Sequence, residues 1–244
     1  MRKSITNLLL FVVLMMGGKT MAQVDFGMSA DLQSRYVWRG QALGGNAPCL
    51  QPAATISWKG LSLDLWGSYS LNSTEYQELD WTLSYTMLDE MIRLQVTDYA
   101  FPDLTSFHRY FDYKQNTTGH VLEAGLLFNV PKTHLSASIF TNFYGADAHT
   151  ADGNLVYSTY AELGYEWNCE KIGTDFNFAL GCALNGKTGF SFYGNDGFDV
   201  VNISVMATRT LNLTPTFSMP VYAQAIANPA ANKMFLVCGA HIDL

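Results

Sequence analysis

Residues 61–69 read LSLDLWGSY, and they alternate between two kinds of side chain. Leucines fall at every second position, with serine and aspartate between them. Because successive side chains of a β-strand point to opposite faces, this period of two predicts a strand with one apolar and one polar face. The same alternation recurs at 78–85, 92–97 and 172–181. The sequence therefore predicts an all-β fold built from two-faced strands.

The composition is rich in apolar residues and poor in charge. The 244 residues are 48% hydrophobic, 14% aromatic and 14% charged, whereas an average soluble domain is about 25% charged. This composition excludes a disordered chain, a coiled coil and a basic nucleic-acid binder, so no nucleic-acid partner is expected. A lipid bilayer is the environment in which the outside of an all-β protein needs little charge.

The first 22 residues have the pattern of a secretory signal peptide. Arg2 and Lys3 precede the apolar run 8–16, and a small-residue stretch ends at Ala22, which is the usual order in such signals. The run is shorter than the roughly 20 apolar residues of a transmembrane helix. We expect removal of residues 1–22, which carry three basic residues and no acid, to take the net charge from −7 to −10. Residues 23–244 are then expected to form a single barrel domain.

Twelve strand segments can be placed on the mature chain. The gaps after even-numbered segments are short, whereas the long gaps 102–118, 145–154 and 185–197 follow odd-numbered segments. Outer-membrane barrels have even strand numbers, short periplasmic turns and longer external loops. The sequence therefore predicts a transmembrane antiparallel up-and-down β-barrel of about 12 strands, in a bacterial outer membrane and with both termini periplasmic. The segments are 24–38, 50–58, 61–71, 75–87, 91–101, 119–129, 134–144, 155–167, 172–184, 198–209, 215–227 and 232–244.

A soluble β-sandwich or lipocalin-like barrel would also show alternation. Solvated strand faces favour Lys, Glu and Arg, whereas the polar positions here are mostly Ser, Thr, Asn, Gly and Tyr. Small polar side chains suit a crowded, hydrated lumen, so the membrane barrel is favoured. Aromatic residues near segment ends are expected to form girdles at the two membrane interfaces, with core packing as the alternative. They are Tyr36, Trp38, Trp58, Tyr85, Tyr99, Phe143, Tyr165 and Trp167.

Charged residues on the polar faces are the candidates for lining the lumen. Acids outnumber bases among them, which predicts that a pore formed by this barrel prefers cations. The alternative is a salt-bridged plug that holds a closed barrel together. The candidate lumen-lining residues are Asp31, Arg35, Arg39, Asp64, Glu78, Asp80, Arg93, Glu123, Glu162, Glu166 and Asp175.

The external segment 107–113, FHRYFDY, combines aromatic and charged side chains. Such a loop either folds inward or meets a ligand, and its candidate contact residues are His108, Arg109 and Tyr110. No histidine lies in a recognisable serine-hydrolase context, so no catalytic residue is assigned. The four cysteines fit no zinc-ligand spacing. They are interpreted as structural, with a bridge at Cys49 left open, and no metal or cofactor is expected.

The run 34–41, SRYVWRGQ, followed by 60–68, GLSLDLWGS, resembles the TorF-type porin family. Members begin with a similar S-x-Y-x-[WF]-R-G strand end, then a loop, then a strand carrying a G-x-W-G/S element. The resemblance covers residues 24–70 and implies an outer-membrane barrel of a Gram-negative envelope with passive passage of solutes. The last residues, His241 to Leu244, depart from the aromatic ending usual in such barrels, although the alternation is kept.

A barrel of this kind has three expected partners: membrane lipid, the barrel-assembly machinery during biogenesis, and the small polar solutes or ions that pass through it. Two other functions remain open at this point. One is a non-conducting structural or adhesive barrel, and the other is a barrel enzyme acting on envelope lipids.

Overall fold

The chain forms one closed antiparallel β-barrel. The computed structural model describes residues 24–72, 76–101, 109–115, 117–186 and 191–244, so the predicted signal peptide and His108 lie outside the described residues. The strands are β1 (Asp25–Gln33), β2 (Tyr36–Trp38), β3 (Gln41–Leu43), β4 (Cys49–Trp58), β5 (Leu61–Ser70), β6 (Gln77–Met87), β7 (Ile92–Ala100), β8 (His120–Asn129), β9 (Leu135–Gly145), β10 (Thr159–Cys169), β11 (Thr174–Ala183), β12 (Asp199–Thr214), β13 (Phe217–Asn228) and β14 (Lys233–Asp243).

Twelve of these strands form the wall, in the order in which they follow one another along the chain. The wall closes because β1 pairs on one side with β4, where Asp25 lies opposite Ser57, and on the other with β14, where Ser29 lies opposite Asp243. The short strands β2 and β3 pair only with each other. The prediction of an all-β, up-and-down barrel with 12 strands is therefore confirmed.

The two faces of the wall differ as the alternation predicts. The outward face carries large apolar side chains that remain solvent-exposed, such as Phe26 at 70% and Leu83 at 52%. The inward face carries buried polar ones, such as Glu78, Ser84 and Thr97. A soluble barrel has the opposite arrangement, with its apolar face in the core. The lipocalin-like alternative is therefore wrong.

The two ends of the barrel also differ. At one end, here called the short-turn end, lie the connections 59–60, 88–91, 130–134, 170–173 and 215–216 together with both ends of the wall, Asp25 and Asp243. In the first of these turns Lys59 and Gly60 both have positive φ, 50° and 82°, as a two-residue hairpin turn requires. The opposite end, with the connections 34–48, 101–119, 146–158 and 184–198, is called the long-loop end.

Most predicted bounds differ by a few residues from those of the structure, and two segments end five residues away from the ends of their strands. Segment 24–38 ends as a wall strand at Gln33, and the residues beyond it fold back as a separate hairpin. Arg39 and Gly40, with φ of 47° and 76°, form its tight turn. Segment 198–209 continues as a strand to Thr214, because the outward leucines 211 and 213 keep the alternation.

The predicted aromatic girdle is wrong in part. Tyr36 and Tyr99 are buried, and Trp38 packs against a buried cluster inside the barrel. By contrast, Tyr85, Phe143, Tyr165 and Trp167 are exposed, as a girdle requires. Alternation along β7 places Tyr99 on the inward face with Thr97. It could not place Tyr36 and Trp38, since these continue the pattern of β1 although they do not belong to the wall.

All four cysteines are free, so the bridge left open at Cys49 does not form. Cys49 is buried, whereas Cys238 is exposed next to the apolar residues of β14. The described residues also include no helix long and apolar enough to cross a membrane.

Three inward glycines leave space in which aromatic rings pack against the wall. A Cβ added at Gly125 would lie 2.7 Å from Cδ1 of Phe140, and one added at Gly181 would overlap the Tyr160 hydroxyl. Gly239 stands in the same relation to Tyr222. Each ring therefore occupies the space that a side chain on the neighbouring strand would fill.

We predict that Gly181→Ala destabilises the barrel by about 1–3 kcal/mol, because the added methyl group forces Tyr160 away from the wall. Urea-induced unfolding in detergent micelles measures the change. Gly27→Ala is the matched control, since Gly27 is also a strand glycine and an added Cβ there meets nothing within 4 Å. Equal effects of the two substitutions would contradict the ring-seating interpretation.

Candidate functional site

The hairpin formed by β2 and β3, residues 36–43, crosses the lumen. It leaves the wall after β1, and its turn reaches β12, where a Cβ on Gly40 would overlap the carbonyl oxygen of Val201. The carbonyl oxygen of Gly40 also accepts a hydrogen bond of 3.0 Å from Nδ2 of Asn228 on β13. The turn is thus packed against the wall so closely that only glycine fits.

Arg39, at the tip of this hairpin, forms an ion pair with Glu123 on β8. Its Nη1 and Nη2 donate to the two carboxylate oxygens at 2.5 and 3.0 Å, a bidentate arrangement. The Tyr193 hydroxyl accepts a second bond from Nη1 at 2.8 Å, and the Tyr99 hydroxyl donates to Glu123 at 2.8 Å. The Arg39 and Glu123 side chains are only 9% and 1% exposed, so the pair is screened from water.

Aromatic rings enclose the Arg39 guanidinium on its remaining sides. Its central carbon lies 4.4 Å from the ring centroid of Trp38, 4.3 Å from that of Phe140 and 4.6 Å from that of Tyr160. These distances fit cation–π contacts, for which the flat guanidinium is well suited. Phe140 and Tyr160 are two of the glycine-seated rings. We refer to Arg39, Glu123, Tyr193 and the three rings as the Arg39 cage.

On the short-turn side of the Arg39 cage the lumen is open. A cavity of 280 Å³ is lined by Arg39 itself, Phe140 and Glu162. It shares Leu127 and Asn129 with a cavity of 910 Å³, which extends to the turn residues of the short-turn end. On the other side of the hairpin the cavity beside Trp38 and Phe192 has only 100 Å³. The interior is therefore a polar vestibule that ends at the Arg39 cage.

Several of the predicted lumen-lining residues form contacts with other inward groups. Each contact joins two or three polar side chains of the interior. Arg93 lies 3.5 Å from Asp64, Asp31 lies 3.1 Å from Nδ1 of His241, Glu78 accepts from the Tyr76 hydroxyl at 2.8 Å, Glu162 accepts from Tyr160 and from Asn202, and Asp175 accepts from Asn168.

Three other predicted residues have different surroundings. Asp80 is buried, and its Oδ1 has no hydrogen-bond partner among the described residues. Glu166 is exposed on the inward face of β10. Arg35 is not on the wall, since β1 ends before it, and its guanidinium lies 6.0 Å from the ring of Phe235.

Sequence reasoning missed the hairpin and the partners that reach Arg39 from distant segments. Tyr193 comes from the long connection before β12, and Phe140 and Tyr160 come from β9 and β10. The only local signal was the pair Arg39-Gly40, a turn sequence inside an otherwise alternating stretch.

The candidate external contact does not fold inward. Nε1 of Trp81, on the outward face of β6, donates a 3.0 Å hydrogen bond to the Tyr110 hydroxyl. Arg109 and Tyr110 therefore lie beside the outer wall. His120, His149 and His241 bond to acids or carbonyl oxygens, whereas the ring of His134 lies edge-on to that of Tyr165, 6.3 Å between centroids. The described residues hold no group of three His, Cys, Asp or Glu arranged for a metal ion.

Comparisons with known proteins find similarity in structure but not in sequence. No family model matches the chain, and no curated protein matches it significantly. The NanC porin is similar at 10% identity and a TM-score of 0.49, covering 88% of this chain and 97% of its own. An outer membrane channel from Pseudomonas putida F1 is similar at 12% identity and a TM-score of 0.42, covering 92% and 96%. OprD from Pseudomonas aeruginosa is similar at 11% identity and a TM-score of 0.39, covering 89% and 64%.

We predict that Arg39→Gln lowers the free energy of unfolding by about 3–5 kcal/mol, because it leaves the Glu123 carboxylate buried without its cation. Arg93→Gln is the control, since its pair with Asp64 is partly exposed and long, and the loss there should stay below about 1 kcal/mol. Urea titrations in micelles compare the two. Adding Glu123→Gln to Arg39→Gln should recover part of the loss, and no recovery would contradict the ion-pair interpretation.

Proposed function

We propose that this protein is an outer-membrane barrel that lets small polar solutes or ions pass passively, with its narrowest section at the Arg39 cage. The observation that carries the proposal is the vestibule of 910 Å³ that opens at the short-turn end and leads to Arg39. Its wall carries serine, threonine and asparagine side chains together with Asp64 and Arg93. Such a surface holds water and hydrogen-bonds to small polar solutes.

The outer wall supports placement in a membrane. Large apolar side chains are exposed on every long strand from β4 to β9, and soluble monomers rarely expose apolar surface on that scale. A closed barrel satisfies the backbone hydrogen bonds of a wall that faces lipid. We place the short turns and both termini in the periplasm. Residues 1–22 then serve as the removed signal, and the barrel-assembly machinery inserts the chain.

The resemblance of 34–41 and 60–68 to the TorF-type porin family agrees with this proposal. The residues that carry it include Arg39, whose role in the lumen gives the motif a physical meaning. In this proposal the motif supplies the turn and the cation of the constriction.

The charge of the vestibule supports a preference for cations. Its lining includes Asp25, Asp64, Asp89 and Glu90 but only two bases, Lys59 and Arg93. Arg39, at its inner end, is already neutralised by Glu123. A permeating cation therefore meets a net negative surface before it reaches the Arg39 cage.

We predict a cation-selective reversal potential in planar bilayers under a salt gradient. Raising the salt concentration on both sides at a constant ratio should weaken the selectivity, because exposed carboxylates are screened. A reversal potential that favours anions would overturn the assignment of the vestibule as the selective region.

The second candidate function is a non-conducting structural barrel. The packing of Trp38 and Phe192 against the buried cluster that contains Tyr193 favours it, since these side chains fill the lumen at the level of the hairpin. Liposome swelling with small sugars separates the two functions. No solute flux through correctly folded protein would support the structural barrel and contradict the porin.

If the Arg39 cage limits permeation, then weakening it should increase the open probability of single channels. We predict that Glu123→Gln, which removes the charge that holds Arg39, raises the open probability several-fold. Glu166→Gln is the matched control, because Glu166 is an exposed inward acid of β10 beside the 130–134 turn of the short-turn end. Equal open probabilities for the two variants would show that the Arg39 cage does not limit permeation.

A further inference from the structure

The outer wall carries a polar cluster at its long-loop end. Asp98 on β7 lies opposite Leu122, and Ala100 lies opposite His120 at the start of β8, while their neighbours Tyr99 and Val121 point inward. Asp98 and His120 therefore point away from the lumen, on the same side as Trp81. An acid and a histidine on the lipid side of a wall are costly unless other groups cover them.

The described part of segment 109–118 covers this pair. Tyr113 donates to Asp98 at 2.6 Å and its ring stacks on that of His120 with 4.3 Å between centroids. Nδ1 of His120 lies 2.7 Å from Asp98, and Nε2 lies 2.6 Å from the carbonyl oxygen of Tyr110. Tyr144 on β9 donates to the carbonyl oxygen of Tyr113 at 2.6 Å. His120 is left only 3% exposed, so the segment is fixed to the outside of the barrel.

A cavity of 220 Å³ lies between this segment and the wall, and Arg109 and Thr118 line it together with His120. Asp98 and Asp112, the acids in the described part of this region, already have donors. Asp98 is held as described, and Asp112 accepts from the Thr117 hydroxyl at 2.7 Å and from the Lys114 amide at 3.2 Å, which lowers its pKa and keeps it ionised. Among the described residues that line the cavity, Arg109 is the permanently charged one, and its charge also contributes to the lowered pKa of Asp112.

An apolar side chain stands next to this cation. Phe111 is 88% exposed, and its ring meets that of Tyr110 edge-on, 5.2 Å between centroids. Tyr110, which Phe111 contacts, is bonded to Trp81 on the outward face of β6, so Phe111 lies on the outer side of the barrel. A basic and an apolar side chain two residues apart, in a segment bonded to Trp81 and Tyr144, have the pattern of a membrane–water interface.

We propose that the described residues of segment 109–118 bind the phosphate group of an anionic lipid, with Arg109 on the phosphate and Phe111 among the acyl chains. This proposal rests on placement of the barrel in a membrane, with the long-loop end at the outer leaflet. Arginine suits the phosphate because its planar guanidinium donates two parallel hydrogen bonds. The acyl chains of the bound lipid then extend the apolar surface of the wall past this polar segment.

The test titrates lipid into the refolded full-length protein in neutral detergent micelles and follows the urea midpoint of unfolding. A ligand that binds only the folded state raises this midpoint by mass action. Phosphatidic acid is the probe, and phosphatidylcholine and inorganic phosphate are the comparison arms. We expect saturable stabilisation by phosphatidic acid, with its apparent Kd raised roughly tenfold by Arg109→Gln.

Arg209→Gln is the matched control, because Arg209 is an exposed arginine of β12 near the short-turn end. Its apparent Kd should equal that of the wild type. Phe111→Ser should weaken the binding of phosphatidic acid but leave any stabilisation by inorganic phosphate unchanged. Equal losses in the two arginine variants would overturn the site, and equal stabilisation by inorganic phosphate and phosphatidic acid would overturn the lipid as its ligand.

The outcome is separable from that of the proposed function. Insertion into vesicles and channel recording test the barrel without reference to Arg109. A barrel that inserts and conducts but shows no preference for phosphatidic acid contradicts the lipid site alone. A barrel that does not insert contradicts the porin proposal, whatever the micelle titrations show.

Discussion

The rest of the structure depends on one constraint: every backbone amide and carbonyl of a wall surrounded by apolar medium must be paired within that wall. The chain meets it by joining β1 to both β4 and β14, which leaves the wall without an edge. Closure in turn requires strands with two faces, because each residue then faces either the surroundings or the interior. The alternation seen in 61–69 is thus a consequence of closure.

The interior raises a second problem, since a ring of 12 strands encloses more space than wall side chains alone fill. The hairpin of residues 36–43 supplies the missing volume in the long-loop half, and the glycines of β8 and β11 make room for the rings against which it packs. Arg39 carries a charge into this packed region, and Glu123 together with three rings compensates its desolvation. In the short-turn half the described residues form no such insert, and the lumen there is open as the vestibule.

The wall could be predicted from sequence because period-two alternation and gap length are local signals. The Arg39 cage could not, since its members come from β2, β8, β9, β10 and the segment before β12, and no local pattern reports contacts across a lumen. Parity even misassigned Tyr36 and Trp38, which continue the rhythm of β1 after the chain has left the wall. The outer position of Tyr110 was equally hidden, because Asp98 and His120 read as ordinary polar positions at strand ends.

The seam between β1 and β14 has a consequence for the order of assembly. It brings together residues as far apart as Asp31 and His241, 210 positions along the chain, whereas Arg39 and Glu123 are separated by 84. Because the entropy lost on closing a loop grows with its length, the shorter connection is favoured first. The hairpin then docks on a sheet that is still open on one side, and the last strand closes a barrel whose lumen already holds the hairpin. With this order of assembly, the protein never passes through a closed barrel with an empty lumen.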